Sequence, residues 1–428
     1  MSRKKFPEWY VKKREESKRL LREARPAKYG PDIDLSMYSP NIAPEHRAIN
    51  SLRKLRKVDQ EEIKKVGQRP DEGFRSGSHL QIDDHPVYLS YTDWTKQSLF
   101  PKFPEGLVVL DTREAIRKYP WIEKFWFKII PLRLDKYTSY IGANEAGGVF
   151  VWVKRGTVIG WPVQSCFYVR TENYVQVPHN LIIAEPYSRI HLITGCVVAP
   201  ECSRAAHIAA TEIYVGKGAE VTWTMIHNWN PEFEARPKIG IVVEENGTYM
   251  ENFILLSPVR NTQFYPTAVL RGNGARASFH LLIFGRGESN IDAGSGIIFN
   301  AEKTRGEIIS RAVVTDKASV KMRGLLHANK PNTRGHLECR ALMLSDEARA
   351  YAYPNLRSFS SEAELTHEAA IGKIAEEQLY YLMSRGLSKG EATSMIARGF
   401  LDTEIPGLPT LLQGEISRLV SMTAKEVM

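Results

Sequence analysis

Several common sequence features are missing from this chain, and each absence excludes a class of protein. The 428 residues include only four cysteines, Cys166, Cys196, Cys202 and Cys339, and no two of them form a CxxC pair. Four unevenly spaced cysteines do not make a disulfide framework, a zinc ribbon or a dithiol redox motif in a chain of this length. No run of 18 apolar residues occurs, and the basic N-terminus lacks an apolar signal core. We therefore expect a cytoplasmic protein with reduced thiols and no membrane span.

Familiar nucleotide-binding and catalytic motifs are missing as well. The chain has no HExxH motif, and its glycine-rich stretch "GRGESNIDAGSG" lacks the lysine and the helix that follow in a phosphate-binding loop. The strand-like segments show no clear pair of clustered carboxylates, which a carbohydrate-cleaving β-solenoid enzyme would need. The chain therefore shows no ATP site of its own and no sign of a glycosidase.

The positive charge is concentrated at the N-terminus. Residues 1–75 hold 20 Lys and Arg against 12 Asp and Glu, an excess of eight out of the net charge of +9. A basic helical arm can bind nucleic acid or an acidic protein. Glu15, Glu16 and Glu23 lie among the basic residues, however, and such mixing is typical of a solvated helix. Nucleic-acid binding is therefore not favoured.

From about residue 147 the sequence predicts β structure. Segments such as "AEVTWTMIHNW" are rich in β-branched and aromatic residues, and they alternate between apolar and polar positions. A turn followed by such a strand recurs at 218–219, 246–247, 274–275, 317–318 and 347–348. Three of the four spacings are close to 30 residues, and the third spacing is longer. A repeat of this length predicts a β-solenoid, and the pattern alone leaves a β-sandwich open.

Helical patterns flank this region. They cover residues 7–24, about 45–67, 111–128 on both sides of Pro120, 374–386, a segment opened by a capping box from Ser388 to Glu391, and a final helix from about 409. We therefore predict an α+β chain in three parts. A basic N-terminal helical region spans 1–104, a β core with a helical entry segment spans 105–366, and a C-terminal helical domain spans 367–428.

Two cysteines are the first candidates for chemistry. Cys196 lies in "LITGCVVAP", next to a glycine near a strand end. Cys339 lies in "GHLECRALML", where alternation places it with Leu337 and Ala341 on an inward face. Most thiols of this kind are small buried hydrophobic residues, and the residues alone favour that interpretation for both.

Two further pairs stand out. His227 and Trp229 share one strand face in "MIHNWN", where a buried aromatic core is the ordinary expectation. His367 and Glu368 are adjacent in "LTHEAAIGKI", and a solvated helix entry is the simplest interpretation of them. In a solenoid, however, His367 would lie one turn from Cys339. Thiolate, imidazole and carboxylate together would suit iron or zinc.

Four blocks of sequence, in order, carry a family resemblance. They are "GGVFVWVKRGTVIGWPVQSCFYVRTEN", "HIAATEIYVGKGAEVTWTMIHNWN", the segment from Cys339 to His367, and "HEAAIGKIAEEQLYYLMSRGLSKGEATSMIARGFL". Over roughly residues 105–425 the chain resembles the SufB/SufD family of iron–sulfur cluster assembly scaffolds. The resemblance implies a right-handed parallel β-helix core flanked by helical domains. It also implies a role in receiving sulfur and iron and assembling a nascent cluster.

The resemblance also implies roles for single residues. Cys196 matches the SufB cysteine that accepts persulfide sulfur, and Trp229 matches a tryptophan on the sulfur route, where His227 stands in place of the usual SufB glutamine. Cys339 matches the SufB cysteine where the cluster forms, with His367 and Glu368 as neighbouring ligands or proton carriers. A thiolate that attacks sulfur needs a polar, partly open setting, so we expect one around Cys196.

Partners follow from the same resemblance. It implies an ATPase of the SufC type bound through the C-terminal helices, a homodimer or a heterodimer with a SufB/SufD paralogue through the β-helices, and a sulfur donor protein. A flavin is associated with the family's complexes, but no motif for one is present. The stretch "LMLSDEARAYAYPNL" resembles SufD rather than SufB. A SufD-like structural subunit, or an undifferentiated member that pairs with itself, therefore remains an alternative.

Overall fold

The computed structural model describes residues 5–23, 25–40, 87–91, 95–98, 104–160, 162–169, 171–199 and 202–401. The helices expected at about 45–67 and from about 409 lie outside these residues. Within the described residues, no helix is long and apolar enough to cross a membrane.

The core is a parallel β-helix of about seven turns, so the solenoid prediction is confirmed and the sandwich alternative is wrong. Sheet 1 contains, in spatial order, β2 (Thr95–Ser98), β1 (Val87–Tyr91), β5 (Val163–Val169), β8 (Arg189–Val198), β11 (Glu220–Asn228), β14 (Thr248–Leu255), β17 (Arg276–Gly285), β19 (Arg305–Val314), β21 (Arg334–Met343) and β23 (Glu364–Lys373). Every neighbouring pair in it is parallel except β1 with β2. Each strand therefore stacks on the same strand of the next turn.

Sheet 2 faces sheet 1 across the interior. It contains β3 (Leu107–Asp111), β4 (Val149–Val153), β6 (Tyr174–Gln176), β7 (His179–Ala184), β9 (Ala205–His207), β10 (Ala210–Val215), β12 (Glu234–Ala235), β13 (Lys238–Val243), β15 (Asn261–Phe264), β16 (Thr267–Leu270), β18 (Asn290–Phe299), β20 (Ser319–Ala328) and β22 (Arg349–Ser358). In the earlier turns its strands come in short pairs, and both β15 and β16 pair with the single long strand β18. From β18 onward both sheets are built of ten-residue strands.

The turns explain the repeat. Among the described residues, the corner from sheet 2 to sheet 1 carries a residue with positive φ in seven turns: Gly156, Tyr187, Gly218, Asn246, Gly274, Lys303 and Asn332. These residues recur every 28–31 positions, because the left-handed backbone conformation lets the chain reverse tightly. The turns expected at 317–318 and 347–348 belong instead to the opposite corner. The sequence repeat merged two kinds of corner, which is why its third spacing was too long.

The interior between the sheets is mainly apolar, and it is filled by alternate residues of each strand. Inward-facing side chains form a single buried cluster that runs from Leu107 to Ala348. Because strands stack in register, each inward residue belongs to a column that runs along the axis of the β-helix. The position of any side chain relative to a distant one is therefore fixed by its column and its turn.

Helices pack on the outer faces of both sheets of the β-helix. They are α1 (Glu8–Arg22), α2 (Thr112–Lys118), α3 (Lys136–Asn144), α4 (Glu376–Ser384) and α5 (Lys389–Leu401), with 3-10 turns at Leu35–Met37 and Pro120–Lys124. The helical prediction for 7–24 is confirmed. The prediction for 111–128 is confirmed before Pro120 by α2, whereas after Pro120 the chain forms only a 3-10 turn that ends at Lys124. The expected capping box is also formed, since the Glu391 carboxylate accepts hydrogen bonds from the Ser388 backbone and hydroxyl at 2.8 Å.

The β structure extends beyond the expected boundaries of the core. Strands β1 and β2 lie before residue 105, and β23 continues through His367 and Glu368 to Lys373. The C-terminal helices then fold back, and Ala397 and Leu401 of α5 pack on the outer face of sheet 1. His367 and Glu368 therefore belong to the last turn of the β-helix and not to a helix entry.

Candidate functional site

Cys196 lies near the end of β8 and faces the interior. Its neighbours in register are Phe167 on β5 and His227 on β11. The residue is only 3% exposed, so the expectation of a partly open setting is wrong for this state of the protein. Any reagent or partner protein would therefore reach this thiol only after a local opening of the chain.

His227 and Trp229 form a buried pair directly beside Cys196. The Trp229 indole N–H donates to Nδ1 of His227 at 3.1 Å, and its ring stacks on Phe233 at 4.0 Å. Burial, reinforced by nearby His207, lowers the pKa of His227 to about 3. The imidazole is therefore neutral at physiological pH.

A small interior cavity lies close to Cys196, beside the part of β8 that precedes it. Its lining includes Phe167, which is in register with Cys196, and Thr194, which precedes Cys196 by two residues on the same face. Trp223 closes one side, and its indole N–H donates to the Thr194 hydroxyl at 2.9 Å. The interior next to Cys196 thus combines space with polar atoms.

Cys339 is inward-facing on β21, as the alternation predicted. It is fully buried, with Ser310 and Ala369 as its neighbours in register. Burial, with a smaller contribution from the adjacent Glu338 carboxylate, raises the pKa of its thiol to about 12. The thiol is therefore protonated at neutral pH until the site opens or a metal displaces the proton.

His367 and Glu368 project to opposite faces of β23. His367 is in register with Leu337, so it points inward and lies diagonal to Cys339. Its Nε2 is buried and finds no hydrogen-bond partner in the part of the chain that the structure describes. Burial, with His336 nearby, lowers the pKa of His367. Glu368 points outward and lies 3.5 Å from the Arg340 guanidinium.

The structure therefore brings the candidates together only in part. Cys196 adjoins His227 and Trp229, and Cys339 adjoins His367, but Glu368 lies across the sheet from both. Among the described residues, no group of three or more His, Cys, Asp or Glu side chains is arranged to hold a metal ion. A complete ligand set needs a contribution or a rearrangement that the single chain does not show.

The two cysteines are far apart along the axis. Five strand spacings of sheet 1 separate β8 from β21, which is about 24 Å at the usual separation of strands. Inward side chains fill the columns between them, including Met225, Phe253 and Leu281. Direct transfer of an atom between the thiols therefore requires the packed interior to open.

One interior group was missed by the sequence reasoning. Glu251 is fully buried on β14, in register with Trp223 and Phe279, and accepts a short hydrogen bond from the Tyr249 hydroxyl. Its Oε1 has no hydrogen-bond partner among the described residues, and burial raises its pKa to about 8. The alternation of Tyr249, Glu251 and Phe253 already places this acid on an inward face, so the signal was present in the sequence.

Within the described ranges, no further strand covers the last turn of the β-helix. Among the described residues β22 and β23 each pair with only one strand, and most of their side chains are exposed. Leu356 and Ile371 occupy inward columns yet are 37% and 40% exposed. The open end therefore presents apolar side chains one strand beyond Cys339.

These features define a parallel β-helix protein in which two candidate thiols, Cys196 and Cys339, are buried, the second of them beside an open end. A family model described as SUF system FeS cluster assembly, SufBD core domain, matches residues 167–400. The chain belongs to this SufBD family of iron–sulfur cluster assembly proteins.

Named relatives agree along nearly the whole chain. An iron–sulfur cluster assembly SufBD family protein of Methanothermobacter thermautotrophicus is 39% identical over 93% of this chain and 96% of its own length. Family members from Archaeoglobus fulgidus and Pyrococcus horikoshii are 38% and 33% identical. The alignment with the Archaeoglobus fulgidus protein covers 87% of this chain and 96% of that protein. The alignment with the Pyrococcus horikoshii protein covers 98% of this chain and 94% of that protein.

Proposed function

We propose that this chain is a cytoplasmic scaffold subunit of the SUF machinery. It accepts sulfur at Cys196 from a donor protein, receives iron, and builds a nascent iron–sulfur cluster at Cys339. The cluster is cargo that leaves the scaffold, and ATP hydrolysis is the work of a partner subunit.

The observation that carries this proposal is the position of Cys339 beneath the open end. A second β-helix seated on β22 and β23 would cover the exposed apolar columns there, as edge strands require. Cys339 and His367 would then lie at the junction, and a shift of the open end could expose the thiol and bring Glu368 into reach. Thiolate and imidazole are suitable ligands for iron.

A second function, as a SufD-like structural subunit without a cluster, has one observation in its favour. Glu368 points away from Cys339, and the described residues form no ready metal site. The presence of Cys196, Cys339 and Glu368 in one chain favours the SufB-like scaffold, and pairing with a copy of itself would let one gene product serve both roles.

The C-terminal helices are proposed to bind a SufC-type ATPase. Helix α5 is anchored on sheet 1 by Ala397 and Leu401, while Tyr380 and Tyr381 of α4 project into solvent. Exposed aromatic residues on α4, which contacts the anchored helix α5, are suitable contacts for a protein partner. Nucleotide binding in that partner would shift the β-helix pair between two states.

Anaerobic reconstitution with ferrous iron and sulfide tests the scaffold role. The parent should give a visible cluster spectrum that Cys339→Ala and Glu368→Ala lose, while Cys202→Ala, which removes a buried thiol far from the open end, should retain it. If both site variants reconstitute like the parent, the scaffold assignment of these residues fails and the structural-subunit alternative is favoured.

Co-purification tests the ATPase contact. The double variant Tyr380→Asp with Tyr381→Asp should lose the ATPase, as should a chain truncated after residue 374. The matched control is Tyr187→Asp, because Tyr187 is 53% exposed, close to the 59% of Tyr381, and lies on the β-helix. Retention of the ATPase by the double variant would disprove the docking site.

A further inference from the structure

The tautomer of His227 is fixed by its neighbour. An indole N–H can only donate, so Nδ1 of His227, which lies 3.1 Å from the Trp229 nitrogen, must be the acceptor. A neutral imidazole carries one proton, which must then reside on Nε2. The lowered pKa of His227 supports the neutral form.

This Nε2–H is a buried donor without an acceptor. The residue is buried, and Nε2 has no hydrogen-bond partner among the described residues. Buried donors are almost always paired in folded proteins, so an orphan of this kind indicates a missing ligand or water. Nδ1 already accepts a hydrogen bond, so Nε2 is the imidazole nitrogen that lacks one.

The surroundings leave one neighbour in register that can supply an acceptor. In sheet 1 His227 lies between Leu255, whose side chain has no acceptor, and Cys196. Side chains in register on adjacent strands are about 4.8 Å apart. A second sulfur bonded to Cys196 would extend about 2 Å beyond the first. A persulfide on Cys196 therefore has the reach to meet the imidazole.

We propose that the Nε2–H of His227 binds the outer sulfur of a persulfide on Cys196, and that Trp229 is a positioning residue that holds the required tautomer. This inference rests on the sulfur-accepting role proposed above for Cys196. It assigns the ligand as a sulfane sulfur anion and gives the histidine a function that the ordinary core interpretation does not.

The loading step conserves atoms and electrons. The Cys196 thiolate attacks the outer sulfur of a donor persulfide, and the new S–S bond forms as the donor's S–S bond breaks. The donor sulfur leaves with the bonding pair as a thiolate and takes up the proton that Cys196 released. One sulfane sulfur passes between thiols, so no external oxidant or reductant is needed. The outer sulfur carries the negative charge, and a charge-assisted hydrogen bond from Nε2–H stabilises it.

The test loads the full-length protein with inorganic polysulfide and follows the persulfide on the Cys196 peptide by alkylation and mass spectrometry. In His227→Leu the persulfide should be lost about tenfold faster to a fixed concentration of competing thiol, because one hydrogen bond to an anion is removed. His227→Gln keeps an N–H donor and should stay within about threefold of the parent. His280→Leu is the matched control, since His280 is buried but projects from the outer face of sheet 1.

Two readouts separate this role from simple packing. The midpoint of the pH profile for persulfide alkylation should rise by about one unit in His227→Leu, because the anion loses its donor. Nitrogen-15 spectra of labelled histidine should show the proton on Nε2 in the parent and a mixture of tautomers in Trp229→Phe. A proton found on Nδ1 in the parent would overturn the inference.

The outcomes also distinguish this inference from the proposed function. If the Cys196 persulfide forms and is equally long-lived in parent and His227→Leu, the histidine role is wrong and the acceptor role of Cys196 stands. If polysulfide places no persulfide on Cys196 in a folded parent, both are wrong.

Discussion

At the scale of single residues, burial decides the chemistry of this protein. The same low-dielectric interior raises the pKa of the Cys339 thiol and of the Glu251 carboxyl, and lowers that of the His227 imidazole. In each case the interior disfavours the charged form. At neutral pH the interior therefore holds these three groups mainly in their neutral forms.

Cys339 should resist alkylation in the folded chain. Its thiol is fully buried, and its pKa of about 12 leaves almost no thiolate at pH 8. Peptide mapping after a timed pulse of iodoacetamide should show labelling at least about a hundredfold slower than in guanidinium, where the ordinary thiol pKa returns. Labelling of the native protein at the rate of the unfolded chain would mean that the open end exposes this thiol.

Glu251 should make the chain less stable as the pH rises. Its folded pKa of about 8 lies above the unfolded value, so its contribution is fully present below about pH 4.5 and is lost as the pH rises to about 8. Between pH 5 and 8 this loss is about 4 kcal/mol at 1.36 kcal/mol per unit. Glu251→Gln keeps an acceptor for Tyr249 without the charge, so its advantage in urea unfolding over the parent should grow from pH 5 to pH 8. An advantage independent of pH would contradict the raised pKa.

At the scale of elements, the register of the strands decides which residues meet. Cys196 meets His227 because β8 and β11 align them across 31 residues of sequence. On the outer face of sheet 2, the same stacking brings Arg323 of β20 next to Tyr353 of β22. The segment 25–40 crosses this face and places the Tyr29 ring against the Arg323 guanidinium.

We expect Arg323 to hold the segment 25–40 against the last turns of the β-helix. Its guanidinium lies 4.3 Å from the Tyr29 ring and 4.7 Å from the Tyr353 ring, and it donates to both oxygens of Asp292 at 2.6 and 2.9 Å. Lysine cannot reproduce the planar stacking or the paired hydrogen bonds. Arg323→Lys should therefore cost about 1–3 kcal/mol in urea unfolding.

Hydrogen exchange locates that loss. Amides of residues 25–40 should exchange faster in Arg323→Lys, whereas Arg349→Lys, an exposed arginine on β22, should leave them unchanged. An equal effect of both variants would show that positive charge, and not the stacked geometry, holds the segment.

At the scale of the whole molecule, the open end of the β-helix is the decisive feature. A solenoid closes its sheets along the axis but cannot close its ends by itself. Here the last turn leaves Leu356 and Ile371 partly exposed in columns that are buried everywhere else. A second β-helix in this position would continue both sheets and enclose the region around Cys339.

Self-association should depend on this end. We expect the purified chain to be a dimer by light scattering, and Ile371→Glu to give a monomer, because a charge would be buried at the junction. The control is Val158→Glu, since Val158 is also an exposed aliphatic residue but lies on an early turn. A monomeric parent would instead require a paralogue as the partner, and a dimeric Ile371→Glu would place the interface elsewhere.

The sequence by itself determined the local features. The alternation of apolar residues identified the strands, the repeat favoured the solenoid over a β-sandwich, and Cys339 was correctly placed on an inward face. The opposite orientations of His367 and Glu368 also follow from adjacency on a strand. Each of these features depends on residues near one another in sequence and on the period of a strand, so it can be recognised from the sequence alone.

Only the tertiary structure decided how distant residues meet. The lengths of the turns vary between 28 and 31 residues, and a shift of two positions moved His367 from the column of Cys339 to that of Leu337. What covers each side chain decides the burial of Cys196, the surroundings of Glu251 and the exposure of the last turn. Packing between the turns and at the ends of the β-helix decides which side chains are covered. An offset of one or two residues there changes every neighbour.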